Sequence, residues 1–167
     1  VLKDNEIVDK KTWGYADKES KSVINEGTIF RIYSNTKIIT SVAAMCLYEE
    51  GKFSLDDLLE KYLPQFANLS VLNSGATDPE ETQALESTPT VKQLMSHQAG
   101  FSYGIFSEST VDGLYMDRKV NDPDSTLADM VDKLEDIPLA YQPGQRFQYS
   151  VSTDILARLV EIWSGQV

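Results

Sequence analysis

Apolar positions in this chain follow two rhythms, and the change between them falls at Ser34. Before it, Val8 to Ala16 carries Trp13 and Tyr15, Asp17 to Ser20 is a polar turn, and Ser22 to Ile32 alternates loosely, ending in Ile29, Phe30 and Ile32. That pattern predicts a β-hairpin over residues 1–33, with a β-type segment (Thr28 to Ile32) leading into Ser34. Two strands alone are marginal, so the hairpin is expected to pair with more sheet. After Ser34, the apolar residues Ile38, Ile39, Val42, Ala43, Met45, Cys46 and Leu47 wrap most of the way round a helix over 35–50. A helix apolar on nearly every side reads as buried. Glu49 and Glu50 end it, with Gly51 as C-cap.

Further along, Ser54-Leu-Asp-Asp57 reads as a capping box for a short helix stopped by Pro64. Residues 67–89 are polar and turn-rich and read as a surface loop. Val91 to Gln98 reads as a helix with Thr90 as N-cap and Gly100 as C-cap, and 101–124 as irregular with at most one turn near Asp112 to Arg118. Thr126-Leu-Ala-Asp129 opens an amphipathic helix, Leu127 to Leu134. Gln142 to Gln145 is a turn, and Phe147 to Tyr149 is extended. Ser152 or Thr153 caps a last helix whose apolar residues are Ile155, Leu156, Leu159, Val160, Ile162 and Trp163, ended by Gly165. Helices 35–50 and 153–164 have apolar faces wider than a hairpin can cover, so the chain is expected to be the first part of a longer protein.

The bulk numbers narrow the chemistry. The 167 residues are 41% hydrophobic and 25% charged, an ordinary globular composition. A net charge of −11 argues against nucleic acid and anionic membrane surfaces as partners. No apolar run reaches the ~18 residues of a membrane helix. The sequence therefore reads as soluble, with the cytoplasm favoured over a secreted or periplasmic setting. The lone cysteine, Cys46, reads as a small packed hydrophobe. A single histidine, His97, excludes a zinc site built from two or three histidines of this chain. A Ser-His-Asp triad within the chain would have to use it.

Ser34-x-x-Lys37 puts a serine and a lysine on one helical face. A lysine at that spacing can take the serine proton, and the positive helix end favours a developing oxyanion. Read structurally, the same pair is an N-cap and a solvated lysine. Tyr149 becomes a usable base if an ammonium lies beside it, since its ordinary pKa is near 10. Read structurally, it is a half-buried strand tyrosine. Gly100-Phe-Ser102-Tyr-Gly104 matches G-x-S-x-G, but the nucleophile elbow needs a strand before the serine and a helix after it. Here a helix precedes and a loop follows, so the glycines read as loop-shaping. His97 reads as a structural residue closing its helix.

Five blocks then resemble one family: Phe30-Arg-Ile-Tyr-Ser-Asn-Thr-Lys-Ile-Ile-Thr, Glu49-Glu-Gly-Lys-Phe-Ser-Leu-Asp-Asp, Lys61-Tyr-Leu-Pro, Leu94-Met-Ser-His-Gln-Ala-Gly-Phe and Gln142-Pro-Gly-Gln-Arg-Phe-Gln-Tyr-Ser. They look like the serine β-lactamase-like superfamily, in the branch of class C β-lactamases, D-alanyl-D-alanine peptidases and family VIII carboxylesterases. The resemblance implies an α+β fold of the β-lactamase/transpeptidase type, an antiparallel sheet flanked by helices plus a helical subdomain. Residues 1–33 would be its hairpin and 34–167 its mostly helical part, with the C-terminal half of the sheet outside this chain.

The resemblance also implies that Ser34 is the acylated nucleophile, its N–H half of an oxyanion hole, Lys37 its activating partner and Tyr149 the general base. Val151, Phe101 and Tyr103 would line the substrate pocket, and no metal or organic cofactor is needed. Val151 stands where lactam-cleaving members usually carry asparagine in Tyr-x-Asn, and the Lys-Thr-Gly motif is absent. These departures favour carboxylic esters, cleaved or transferred through an acyl-enzyme, over a β-lactam or D-Ala-D-Ala peptide. A non-catalytic binding protein or inactive fragment on the same scaffold is the reading from another class. The 167 residues alone are expected to have little activity without the C-terminal remainder.

Overall fold

Asp4 and Asn5 both adopt the left-handed conformation, φ 52° and 63°, that a two-residue hairpin turn requires. They join β1 (Leu2–Lys3) to β2 (Glu6–Ile7), a small hairpin the apolar pattern does not disclose. A computed structural model describes residues 1–105 and 109–166 of the chain. The chain forms two units, Val1–Ser34 and Asn35–Val167. In the first, the turn at Asp17–Ser20 is present: Asp17 Oδ1 accepts from the Glu19 and Ser20 N–H groups at 2.7 and 3.0 Å. The strands it joins are short, β3 (Tyr15–Asp17) and β4 (Ser22–Val23). The expected extended segment Thr28–Ile32 is not a strand. Asn25 Oδ1 accepts from Gly27 N–H at 2.8 Å and the Asn25 N–H donates to Thr28 Oγ1 at 2.9 Å, and this side-chain turn ends the ladder.

The second unit begins with α1 (Thr36–Glu49), which follows the 3-10 turn Tyr33–Asn35. Half of the expected capping box forms: Ser54 N–H donates to Asp57 Oδ2 at 2.8 Å, while the Ser54 hydroxyl accepts from Asp56 N–H at 3.3 Å and Asp57 N–H donates to the Ser54 carbonyl at 3.1 Å. They close a turn and not an α-helix, because two 3-10 segments follow, Leu59–Lys61 and Pro64–Asn68. Pro64 opens the second of these and does not stop the first. The expected loop over 67–89 contains a hairpin, β5 (Ser70–Leu72) with β6 (Thr82–Ala84). Val71 is buried there, and β5 also exchanges hydrogen bonds with Leu139 at 2.8 and 2.9 Å.

The remaining helices are α2 (Val91–Met95), α3 (Thr110–Asp117), α4 (Leu127–Leu134) and α5 (Ser152–Ser164). Capping boxes Thr90/Gln93 and Thr126/Asp129 start α2 and α4. α2 is shorter than expected because His97 turns left-handed at φ 55°. α3 is a full helix where one turn was expected, capped by the Ser109 side chain. Phe147–Tyr149 lies outside any ladder.

α5 is the centre of this unit and packs on α1, α2 and α4. Its residues Ile155, Leu156, Leu159 and Trp163 are buried, and Phe53 stacks on Trp163 at 3.9 Å between ring centres. α1 departs from the expectation of a buried helix. Only Ala44 of it is buried, while Ile38, Ile39 and Val42 are 68%, 61% and 57% exposed. Cys46 is likewise exposed and not packed. α1 meets α5 along one stripe, which leaves its other apolar residues facing outward. Three separate antiparallel pairs thus accompany five α-helices among the described residues.

Candidate active site

Lys37 sits in the first turn of α1, half-buried, with its ammonium over two tyrosine rings. Its Nζ lies 5.1 Å from the centre of the Tyr149 ring and 5.5 Å from that of Tyr103. The two rings are 5.3 Å apart and tilted by 39°. Burial alone would lower the lysine pKa. The hydrogen bond to Tyr149 and the charges of Tyr103, Asp154 and Tyr149 outweigh it and hold the ammonium above its ordinary value of 10.5. Lys37 is therefore a cation at neutral pH, hydrogen-bonded to Tyr149.

Tyr149 belongs to a segment without secondary structure of its own, held by the loop after α2. Gln148 N–H donates to the His97 carbonyl at 2.9 Å and Val151 N–H to the Ser102 carbonyl at 3.1 Å. The His97 ring stacks on Tyr149 with centres 5.0 Å apart and planes 28° apart. Burial first, then the Lys37 charge, push the His97 pKa below its ordinary 6.5. Asp154, half-buried in the first turn of α5, is shifted the other way: burial raises its pKa and Lys37 partly offsets this.

Ser102 does not form a nucleophile elbow. It is buried at 1% exposure, its hydroxyl donates to Asp112 Oδ1 at 2.5 Å, and no strand precedes it. Asp112 Oδ1 also accepts from Gly104 N–H at 2.9 Å. Ser102 and Asp112 thus shape the loop that carries Tyr103, and Gln148 Nε2 ties this loop to the Tyr149 segment by donating to Ser102 Oγ at 3.1 Å.

The sequence-derived residues divide between the two units. Ser34 closes the first unit, in the 3-10 turn that precedes α1. Lys37, Tyr149 and Tyr103 come together in the second. Tyr103 and Tyr149 border a cavity of about 1060 Å³ that also reaches Ser102, Gln142 and Arg146. Val151 and Phe101 are core residues at 0% and 1% exposure and are absent from its wall. Sequence reasoning missed the place of Asp154 and the contacts of His97 with the Tyr149 segment. An acidic residue in a first helical turn reads as a helix-dipole partner, and nothing local ties His97 to Tyr149. Among the described residues no group of three or more His, Cys, Asp or Glu side chains is arranged to hold a metal. No described helix is long and apolar enough to cross a membrane.

These features belong to a known family: the Beta-lactamase family profile matches residues 1–166, and the chain belongs to that family. It is 29% identical over 168 residues to Esterase EstB of Burkholderia gladioli, covering 99% of this chain and 40% of that protein. It is 33% identical over 177 residues to a putative D-alanyl-D-alanine carboxypeptidase of Escherichia coli (strain K12), covering 99% and 37%. Among solved structures it resembles EstCE1, a hydrolase with promiscuous acyltransferase activity, with a TM-score of 0.73 and 29% identity over 92% of this chain and 38% of that one. The chain spans 40% or less of the length of these relatives.

Proposed function

We propose that the protein is a serine hydrolase acting on carboxylic esters through an acyl-enzyme at Ser34. The observation that carries this reading is the protonated Lys37 beneath the Tyr149 ring. An ammonium there favours the phenolate, which suits Tyr149 to the role of base. Ser34 stands three positions before Lys37 where a 3-10 turn leads into α1. Tyr149 accepts the Ser34 hydroxyl proton as Oγ attacks the ester carbonyl. The tetrahedral oxyanion collapses, the C–O bond to the alcohol breaks, and Tyr149 returns the proton to the departing alkoxide. Water, deprotonated by Tyr149 in turn, then releases the acid and restores Ser34.

Val151 supports ester over lactam substrates. Valine has no side-chain amide, so this position offers none to a lactam side chain. The similarity to a putative D-alanyl-D-alanine carboxypeptidase favours the second reading, a peptide or β-lactam substrate for the same machinery. Short-chain nitrophenyl esters assayed against a chromogenic cephalosporin separate the two. Turnover of the cephalosporin alone overturns the ester reading. A fluorophosphonate should add one mass increment to the wild type and none to Ser34→Ala. An adduct that survives Ser34→Ala removes Ser34 as nucleophile. Run on the 167 residues alone, the same assays test the proposal that this portion has little activity by itself.

A further inference from the structure

The two backbone N–H groups that flank Tyr149 both end on one residue. Gln148 N–H donates to the His97 carbonyl at 2.9 Å, and Ser150 N–H donates to His97 Nδ1 at 3.2 Å. The imidazole also stacks on the Tyr149 ring, 5.0 Å between centres. Its backbone is left-handed at φ 55°, a conformation that strains a non-glycine residue. That geometry lets carbonyl and ring reach the same segment. A ring nitrogen that accepts from a backbone N–H carries no proton, and that contact calls for the neutral tautomer with its hydrogen on Nε2. Ser150 Oγ, 3.2 Å from the same Nδ1 and 2.7 Å from Ser152 Oγ, completes the contact.

We infer that His97 is a positioning residue for Tyr149: as a neutral imidazole it clamps the backbone on both sides of the tyrosine and backs its ring, and protonation at Nδ1 opens the clamp. This inference rests on the reading of Tyr149 as the base. The titratable groups around the ring are Lys37 on α1, Tyr149 on its own segment with Tyr103 beside it, and Asp154 on α5 beside Lys37. Cys46 and Glu49 of α1 share a surface groove with His97, and the Tyr141 hydroxyl approaches its carbonyl at 3.4 Å. Among the described residues no carboxylate forms an ion pair with the imidazole. The cation facing it, Lys37, opposes a second positive charge. Acid therefore removes the Ser150 acceptor and sets two cations beside Tyr149.

His97 is the single histidine of these 167 residues, and comparison with His97→Asn assigns its two nitrogen signals in spectra of the whole protein. Nitrogen-15 correlation spectra of the wild-type protein should show a bare Nδ1 and a protonated Nε2 at pH 7.5, with titration below pH 6.5. Lys37→Met should move that titration upward. A protonated Nδ1 at pH 7.5, or a titration at or above 6.5, overturns the clamp whatever the enzyme's activity. For catalysis, His97→Asn offers an amide oxygen near the place of Nδ1 and cannot titrate, whereas His97→Ala offers nothing. His97→Ala should lose roughly 10- to 100-fold in kcat with little change in KM. His97→Asn should recover much of the loss and flatten the acid limb of kcat/KM. An acid limb identical to wild type in His97→Asn, or full kcat in His97→Ala, overturns the positioning role. Full activity in Tyr149→Phe would instead defeat the reading of Tyr149 as base and leave the nitrogen spectra to judge the clamp.

Discussion

The Lys37 ammonium lies 5.1 Å from the centre of the Tyr149 ring, held there by α1 on one side and by a segment with no secondary structure on the other. The pair brings a cation to a phenol. Tyr149→Phe keeps the ring, its stacking on His97 and its packing, and removes only the hydroxyl. We expect kcat on a short-chain nitrophenyl ester to fall about 10²- to 10⁴-fold with KM nearly unchanged. Steady-state kinetics with circular dichroism as a folding control checks this.

Asp154 is one of the charges that hold Lys37 protonated. Asp154→Asn removes that charge, so the Lys37 pKa should fall. The alkaline limb of kcat/KM should then move to lower pH. An alkaline limb that stays in place would separate Asp154 from the lysine. Loss of activity at every pH without movement of the limb would mark a packing role.

Stability should vary with pH in two separate windows. The His97 pKa is depressed in the folded protein, so the unfolded chain binds a proton more readily below 6.5. Stability is full above 6.5 and declines as pH falls toward the folded value. Asp57 acts in a lower window. Its carboxylate accepts from Tyr62 Oη at 2.6 Å and from Ser54 N–H at 2.8 Å, and its pKa is lowered from 3.8 to about 2. That contribution is present above 3.8 and lost as pH falls through about 2. Urea midpoints across pH should show the first decline in wild type and not in His97→Asn. Asp57→Asn should cost about 1 kcal/mol at pH 7 and reduce the second decline.

Gly100→Ala should distort the loop that carries Phe101, Ser102 and Tyr103. The residue is at φ 93°, and an added Cβ would meet the Tyr141 carbonyl oxygen at 2.6 Å. Leu159→Ala in α5, at 0% exposure, should cost roughly 2 to 5 kcal/mol. Both are read from denaturation midpoints. Gly100→Ala should also lower kcat beyond its effect on stability, because the displaced loop carries Tyr103 and bonds the Tyr149 segment.

Much of the helical half was legible in the sequence. Thr126 with Asp129 and Thr90 with Gln93 start their helices through contacts three residues apart. Gly165 ends α5 in the left-handed conformation that glycine adopts freely. The β5–β6 hairpin was not legible. Its strands are three residues long, too short for an alternating pattern, and only Val71 among them is buried. α3 reads as one turn at most because Gly113, a poor helix former, falls inside its eight residues.

The sequence by itself determined the candidate chemistry: a serine and a lysine three positions apart, and one histidine in these 167 residues, too few for a zinc site of two or three histidines within them. Those are facts of spacing and count, and they hold in any fold that makes the helix. Only the tertiary structure decided that Lys37 faces Tyr149 and Tyr103, that His97 brackets Tyr149, and that Val151 and Phe101 lie in the core. The physical reason is range. A cap or a turn is stabilised by neighbours in sequence, whereas a pKa, a ring stack or a buried side chain depends on residues brought close only when α1, α2 and α5 pack together.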